Sequence, residues 1–202
     1  MGLISNGSTV FDAGAMASGF GGAMVFIKKL TASSSGTLSF VNGSSSVVLD
    51  GTYKEYVFIF QDIHPATNDA IFQFGFRDGS TAYDATKTST YFYATHKEDG
   101  SQALIAYEGS YDQAQSTSFH NFNNTGNEND ESITGILRLF NPASTTFVKH
   151  FETRFVMNGS GSQMSDSFVA GYCNVTAAID AVQFKFSSGN IDAGTISLYG
   201  IA

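Results

Sequence analysis

Nucleophiles, bases and metal ligands are scarce in this chain, and their spacing limits what each can do. The four histidines are His64, His96, His120 and His150. His150 and Glu152 stand two apart in a stretch that alternates like a β-strand, so they share a face. An acid–base or metal pair starts this way but needs a third convergent group, and a polar cross-strand face is the simpler reading. His64 precedes Pro65, a placement that turn geometry explains. His96 adjoins Lys97 and Glu98 and reads as solvated. His120 lies in a long polar segment and is the histidine best placed for a partner contact. Glu128, Asp130 and Glu131 crowd one acidic run, and calcium favours oxygen-rich loops. The run lacks the carboxylate order and central glycine of an EF-hand, so a solvated acidic loop is the preferred reading.

Nucleophilic catalysis finds no motif. Gly159-Ser160-Gly161 reads as a flexible turn, without the strand-to-helix setting of a nucleophile elbow. Cys173 falls in a strand and reads as a small, half-buried hydrophobe. Gly19, Gly21 and Gly22 neither follow a strand nor open a helix, so they form no phosphate loop. The chain therefore reads as non-enzymatic, with no catalytic residue, metal ligand or cofactor assigned. Tyr83, Tyr91, Tyr93, Tyr107 and Tyr111 raise sugar binding, since exposed aromatic rings serve as platforms. The absence of Trp counts against it, and core packing with cross-strand aromatic pairs is the simpler account. The candidate contact surface is Tyr91, Tyr93, His120, Glu128 and Asp130.

These residues must be positioned by strands. Residues 24–30, 37–41 and 47–49 read as short strands separated by Gly, Ser and Asn turns. Residues 53–63 are apolar on both faces, as in a strand covered on both sides. Residues 71–77 alternate, with Phe72, Phe74 and Phe76 on one face. Tyr91 and Tyr93 share a face within 90–96, and 103–107 is a further short strand. Residues 108–132 are polar, acidic and without period; a loop of that length is long for a compact domain and marks a functional or mobile segment. A short helix within 112–119 is a minor option there. Strand periodicity returns at 133–140 and at 145–157, where Phe147, Phe151, Phe155 and Met157 share a phase that Lys149 interrupts. Phe168, Ala170 and Tyr172 alternate next, then Val182, Phe184 and Phe186, and 194–201 closes the chain. So many short strands with frequent turns predict an all-β fold, a single-domain β-sandwich or jelly roll. Residues 23–202 form that domain. Residues 1–22 form a Gly-rich N-terminal arm, whose apolar points are Phe11 and Phe20. Glycine is costly to order, so this arm calls for an external partner.

Composition agrees. The 202 residues include 21 Gly, 19 Phe and 9 Tyr but no Trp and only 2 Pro, a β-rich balance. A chain of this length hides roughly 70% of its unfolded surface on folding, so its core needs neither metal nor disulfide. A single Cys excludes an internal disulfide. A net charge of −8 argues against nucleic acid and anionic membranes as partners. No apolar stretch is long enough for a transmembrane helix, and the N-terminal residues lack the pattern of a secretory signal.

Certain phrases carry a resemblance. The opening GLISNGSTVFDAG and the closing FSSGNIDAGTISLYGIA resemble a group of uncharacterised virion structural proteins of marine tailed bacteriophages, of the cyanophage and pelagiphage type. LDGTYKEYVFIFQDIHPATNDAIFQF, YDQAQSTSFHNF and LFNPASTTFVKHF are similar to that group too, so the likeness spans most of the chain. The resemblance implies a building block on the exterior of head or tail, a capsid decoration or tail fibre protein held through its N-terminal arm. It implies other virion proteins as partners, assembly in the host cytoplasm and residence in the virion. A homo-oligomer is expected by analogy, with the trimer as a frequent form for such proteins. The alternative is a receptor- or carbohydrate-binding module of a tail fibre, acting in host attachment with a host surface glycan as ligand. The resemblance carries no functional residues with it.

Overall fold

The computed structural model describes residues 3–6, 8–12, 15–16 and 23–202. Strands β1 (Leu3–Ser5), β2 (Ser8–Asp12) and β3 (Ala15–Met16) pair antiparallel in a small sheet of their own. Phe11 is described only as backbone, paired with Leu3 and Met16, and Phe20 lies outside the described residues.

From β4 (Met24–Thr31) onward the chain builds two antiparallel sheets. It continues through β5 (Leu38–Val41), β6 (Glu55–Pro65), β7 (Ala70–Arg77), β8 (Lys87–Lys97) and β9 (Ala103–Tyr107). Then come β10 (Gln113–Ser116), β11 (His120–Thr125), β12 (Ser132–Phe140), β13 (Lys149–Gly159), β14 (Gln163–Cys173), β15 (Ala181–Phe186) and β16 (Ile191–Ile201). The larger sheet runs β10-β8-β14-β13-β12-β6-β16-β4, with β9 also paired to β8, for nine strands. The smaller has four, in the order β11-β7-β15-β5. Among the described residues there is no helix. The fold is all-β, with the two sheets packed face to face.

Phenylalanine fills the gap between them. Phe72, Phe74 and Phe76 of β7 point inward, as their alternation predicts, with Phe122, Phe184 and Phe186 from the neighbouring strands. Phe58, Phe60, Phe151 and Phe155 meet them from the larger sheet. Phe72 stacks on Phe122 at 5.1 Å and on Phe184 at 5.9 Å, and Phe60 meets it edge-on at 5.9 Å. Offset-stacked and edge-to-face pairs are the arrangements that the ring quadrupole favours. Facing sheets stand about 10 Å apart, a distance that long flat side chains bridge.

Several elements differ from expectation, each for a physical reason. Residues 47–49 are a pinned loop, not a strand. Asn42 Oδ1 accepts from the Leu49 N–H at 2.9 Å, and the Tyr56 hydroxyl bonds both the N–H and the C=O of Asp50 at 3.0 Å. The polar segment 108–132 contains β10 and β11, and the helix option at 112–119 is replaced by β10. Both are edge strands, and β11 buries one large apolar side chain, Phe122, so neither shows sustained apolar alternation. Phe147 precedes β13 and is 69% exposed instead of joining the core. In β14 the phase is inverted. Ser165, Ser167, Val169 and Cys173 face inward, and Phe168, Ala170 and Tyr172 lie in the opposite phase. The inward side chains are small because Tyr91, Phe151 and Phe155 from the flanking strands occupy the space. Gly171, opposite Phe151, belongs to the same set, and a Cβ there would stand 2.5 Å from Thr88 O and 2.7 Å from Phe151 Cζ.

Two substitutions test this packing by urea unfolding. Phe72→Ala should cost about 3–5 kcal/mol, the range for a large buried aromatic. Gly171→Ala should cost about 1–3 kcal/mol through overpacking, although it adds a single methyl group. A neutral result for either contradicts the packing described.

Candidate functional site

Two residues of the expected contact surface are interior. Tyr91 is 0% exposed, and its hydroxyl donates to Ser167 Oγ at 3.1 Å. Burial raises its phenol pKa. The alternation of 90–96 does place Tyr91 and Tyr93 together, but on the inward face of β8. His120 is likewise 0% exposed, at the start of β11, where its ring stacks on Phe74 at 5.0 Å. Its Nδ1–H donates to Asn121 O at 2.7 Å, so Nε2 accepts from the Ser89 hydroxyl at 2.7 Å. The Ser89 oxygen in turn accepts the Gln113 N–H at 3.1 Å.

A serine at this distance from a histidine is the start of a nucleophile–base pair. Here the imidazole is oriented by a backbone carbonyl and not by a carboxylate, and Phe74 and Phe151 pack against it. Burial pushes its pKa down to about 4, which keeps it neutral at pH 7. The chain His120–Ser89–Gln113 ties β11, β8 and β10 together. Neither Ser89 nor Gln113 is visible in sequence as part of it, because the contacts span 31 and 24 residues.

Cys173 is fully buried between two lysines. In register across β8, β14 and β13 lie Lys87, Cys173 and Lys149, all three 0% exposed. Lys87 Nζ donates to Ala85 O at 2.8 Å, and Lys149 Nζ to Val175 O at 2.8 Å. Burial lowers the amine of Lys87 to about 8 and pushes the Cys173 thiol up to about 12. The sulfur is therefore a neutral thiol, far from the thiolate that nucleophilic or metal chemistry needs. Lys149 breaks the apolar phase of its strand as expected, and it does so inside the core.

Glu128 and Asp130 are exposed, while Glu131 is buried, its Oε2 accepting from the Glu128 N–H at 2.9 Å. His64 Nε2–H donates to Glu128 O at 3.1 Å, and its Nδ1 lies 3.7 Å from Asp192. Among the described residues, no group of three or more His, Cys, Asp and Glu side chains is arranged to hold a metal ion. His150 and Glu152 share a face on which His150 lies beside the Tyr172 ring and Glu152 pairs with Arg138 of β12 at 3.7 Å, a polar cross-strand arrangement.

Glu128 and Asp130 border acidic surface clefts, one lined by Asp62, His64, Asp130 and Asp192 and one by Glu98, Glu128, Asp130 and Ser160; besides these, two further features can meet a ligand. The first is the outer face of the larger sheet. One cross-strand row runs Tyr107, Phe92, Phe168, Arg154, Ile136, Ile59. Phe92 and Phe168 stack at 4.9 Å with their planes 5° apart, and the Arg154 guanidinium lies 4.9 Å from the Phe168 centroid. Arg154 is held by two hydrogen bonds to Asp166, at 3.0 and 2.8 Å. Ile105, Val156 and Met164 extend the apolar surface, with Ile105 80% exposed. A groove of about 390 Å³ runs beside the stack, bordered by Arg138, Glu152 and Arg154. Phe92 was readable as lying opposite Tyr91, but its exposure follows from the described residues placing no second layer on that side.

The second is a smaller cleft of about 180 Å³ on the inner side, lined by Tyr93, Glu108, Tyr111, Asn123, Asn124 and Gln163 against the buried Tyr91. Tyr93 is the one member of the expected contact surface that reaches it as a half-buried side chain.

No family model, curated protein or solved structure matches the chain.

The buried histidine makes a pH prediction. A folded pKa of about 4 against an ordinary 6.5 means the unfolded chain binds the extra proton first as pH falls. Its contribution is complete above pH 6.5 and is lost progressively down to about pH 4, on the order of 3 kcal/mol in all. Urea unfolding of wild type and His120→Gln at pH 7 and pH 4 should show the wild type losing more stability than the variant. Equal losses would mean that His120 is not the titrating group.

Proposed function

We propose that this chain is a non-enzymatic building block of a tailed-phage virion. In this reading it sits on the exterior of head or tail as a decoration or fibre component, a jelly-roll-type domain attached through its Gly-rich N-terminal arm. The observation that carries the proposal is the outer face of the larger sheet. Phe92, Tyr107 and Ile105 are 44%, 58% and 80% exposed side by side, and bidentate or paired arginines border them. A contiguous exposed apolar surface with a polar rim is the form of a protein–protein contact. An oligomer or a particle lattice would cover it.

The other supports are independent of that face. The phrases at both ends of the chain resemble phage virion proteins. The His120–Ser89 pair and Cys173, which carry the reactive chemistry the sequence offers, serve packing. An acidic exterior suits a particle in salt water, where screening weakens repulsion between neighbouring copies.

Incorporation into particles is the test. Phage carrying Phe92→Ser with Phe168→Ser should package this protein poorly while the isolated variant unfolds near the wild-type temperature. Deletion of residues 1–22 should also abolish incorporation. Normal incorporation of the double variant would refute the outer-face contact, and normal incorporation of the deletion would refute attachment through the arm.

A further inference from the structure

The cleft beneath Tyr93 owes its existence to the unequal width of the two sheets. In the smaller sheet β11 is the edge, and its Phe122 meets Phe155 of β13 at 4.8 Å. In the larger sheet β14 and β8 lie beyond β13, so the inner face of β8 projects past the layer that would cover it. Tyr91 is covered by Tyr111 at 5.5 Å and by Phe155 at 6.3 Å. Tyr93, two residues on, is left half-buried at the rim.

The surrounding walls are polar. The register between β11 and β7 shifts between Asn121 and Asn124, so Asn123 and Asn124 sit at a bulge, a feature that re-aims side chains. The opposite wall is the turn after β9, where Tyr111 N–H and Asp112 N–H both donate to Glu108 O. Glu108 Oε1 accepts from Ser110 N–H at 3.1 Å and from its hydroxyl at 2.5 Å, which fixes the carboxylate. Among the described residues, the hydroxyls of Tyr93 and Tyr111 and the side-chain amide of Asn124 have no hydrogen-bond partner in the chain. Asn123 uses its Oδ1 for the Asn124 N–H at 2.8 Å.

We infer that this cleft binds one neutral sugar ring of a glycan. The lining is chiefly polar: the amides, the phenol hydroxyls of Tyr93 and Tyr111 and a fixed carboxylate match the vicinal hydroxyls of a pyranose as donors and acceptors, while the Tyr91 ring is buried behind them. No cationic side chain lines the cleft, so phosphate, sulfate and acidic sugars lack a counter-charge, and Glu108 repels them. The volume of about 180 Å³ is below that of a drug-sized ligand site and admits a single ring. The three amides separate the cleft from an aromatic cage for a quaternary ammonium, whose ligand has no hydroxyls for them to bond. This inference stands whether or not the chain is a virion component, because the outer face and the cleft lie on opposite sides of the larger sheet.

Nuclear magnetic resonance titration of the full chain tests it. The probes are the methyl glycosides of glucose, galactose, mannose and N-acetylglucosamine, with sialic acid and choline as controls. At least one neutral glycoside should shift resonances of Tyr93, Glu108, Tyr111, Asn123, Asn124 and Gln163, with affinity in the millimolar range. Asn124→Ala should weaken it by about tenfold or more. If that variant unfolds early, Gln163→Ala reads the same loss from another position in the lining. Absence of shifts with every neutral glycoside overturns the assignment. So does tighter binding of choline or sialic acid, or an affinity unchanged in the folded variants.

Discussion

Phe72 stands between two sheets of nine and four strands, stacked on Phe122 and Phe184 and met edge-on by Phe60. The aromatic layer it centres is the constraint on which the rest depends. Strands on the inner faces supply rings, make room for them, or fill between them with Ile and Leu, as β12 and β16 do. β7 and β15 supply rings at alternate positions, and β14 makes room with Ser, Val, Gly and Cys. The layer also sets which part of the larger sheet is covered, because rings extend only as far as the narrower sheet reaches.

That mismatch of width produces the cleft at Tyr93, while the outer face is exposed independently of it. On the outside, the described residues place no second layer over the larger sheet, and its cross-strand aromatics are exposed. On the inside, β8 overhangs β11, so a strand whose first tyrosine is core presents its second at a rim. One strand thus carries Phe92 outward, Tyr91 into packing and Tyr93 into a cleft. The outer face is apolar with arginine–carboxylate pairs, whereas the cleft is amide-rich and its lining lacks a cation.

Buried polar groups fix the margins of the core. His120 bonds Ser89, which bonds Gln113, and the three join edge strands that bury little apolar area of their own. Lys87 and Lys149 cap backbone carbonyls at the far end, flanking Cys173. Desolvation makes such groups costly unless they are hydrogen-bonded, and each of these finds a partner, although the Gln113 Oε1 itself has none. Their directional hydrogen bonds restrict the alternative arrangements of the strands they connect. A serine beside a histidine and a thiol beside two lysines both lie in the packed interior here.

Alternation at period two was enough, by itself, to determine that the chain is all-β and that Phe72, Phe74, Phe76, Val182, Phe184 and Phe186 face inward. That pattern is local, since successive side chains of a strand point to opposite faces whatever the partners. The double-sided apolar run of 53–63 did mark a strand, in the middle of the larger sheet, but among the described residues cover on both sides was not found: its outward Ile59 and Gln61 lie on the uncovered face. Which face is inward was legible only where one side was plainly polar. In β14 both phases carry apolar residues, and the neighbours' bulk decided that Phe168 faces away from the core. Strands β10 and β11 were illegible because edge strands need few apolar side chains, and their polar ones are satisfied across the fold. Tyr91 and His120 belong to the same case, for burial depends on what the opposite sheet covers. Sequence determined which residues alternate; tertiary structure decided how far one sheet extends beyond the other, because that extent depends on contacts between residues distant in the chain.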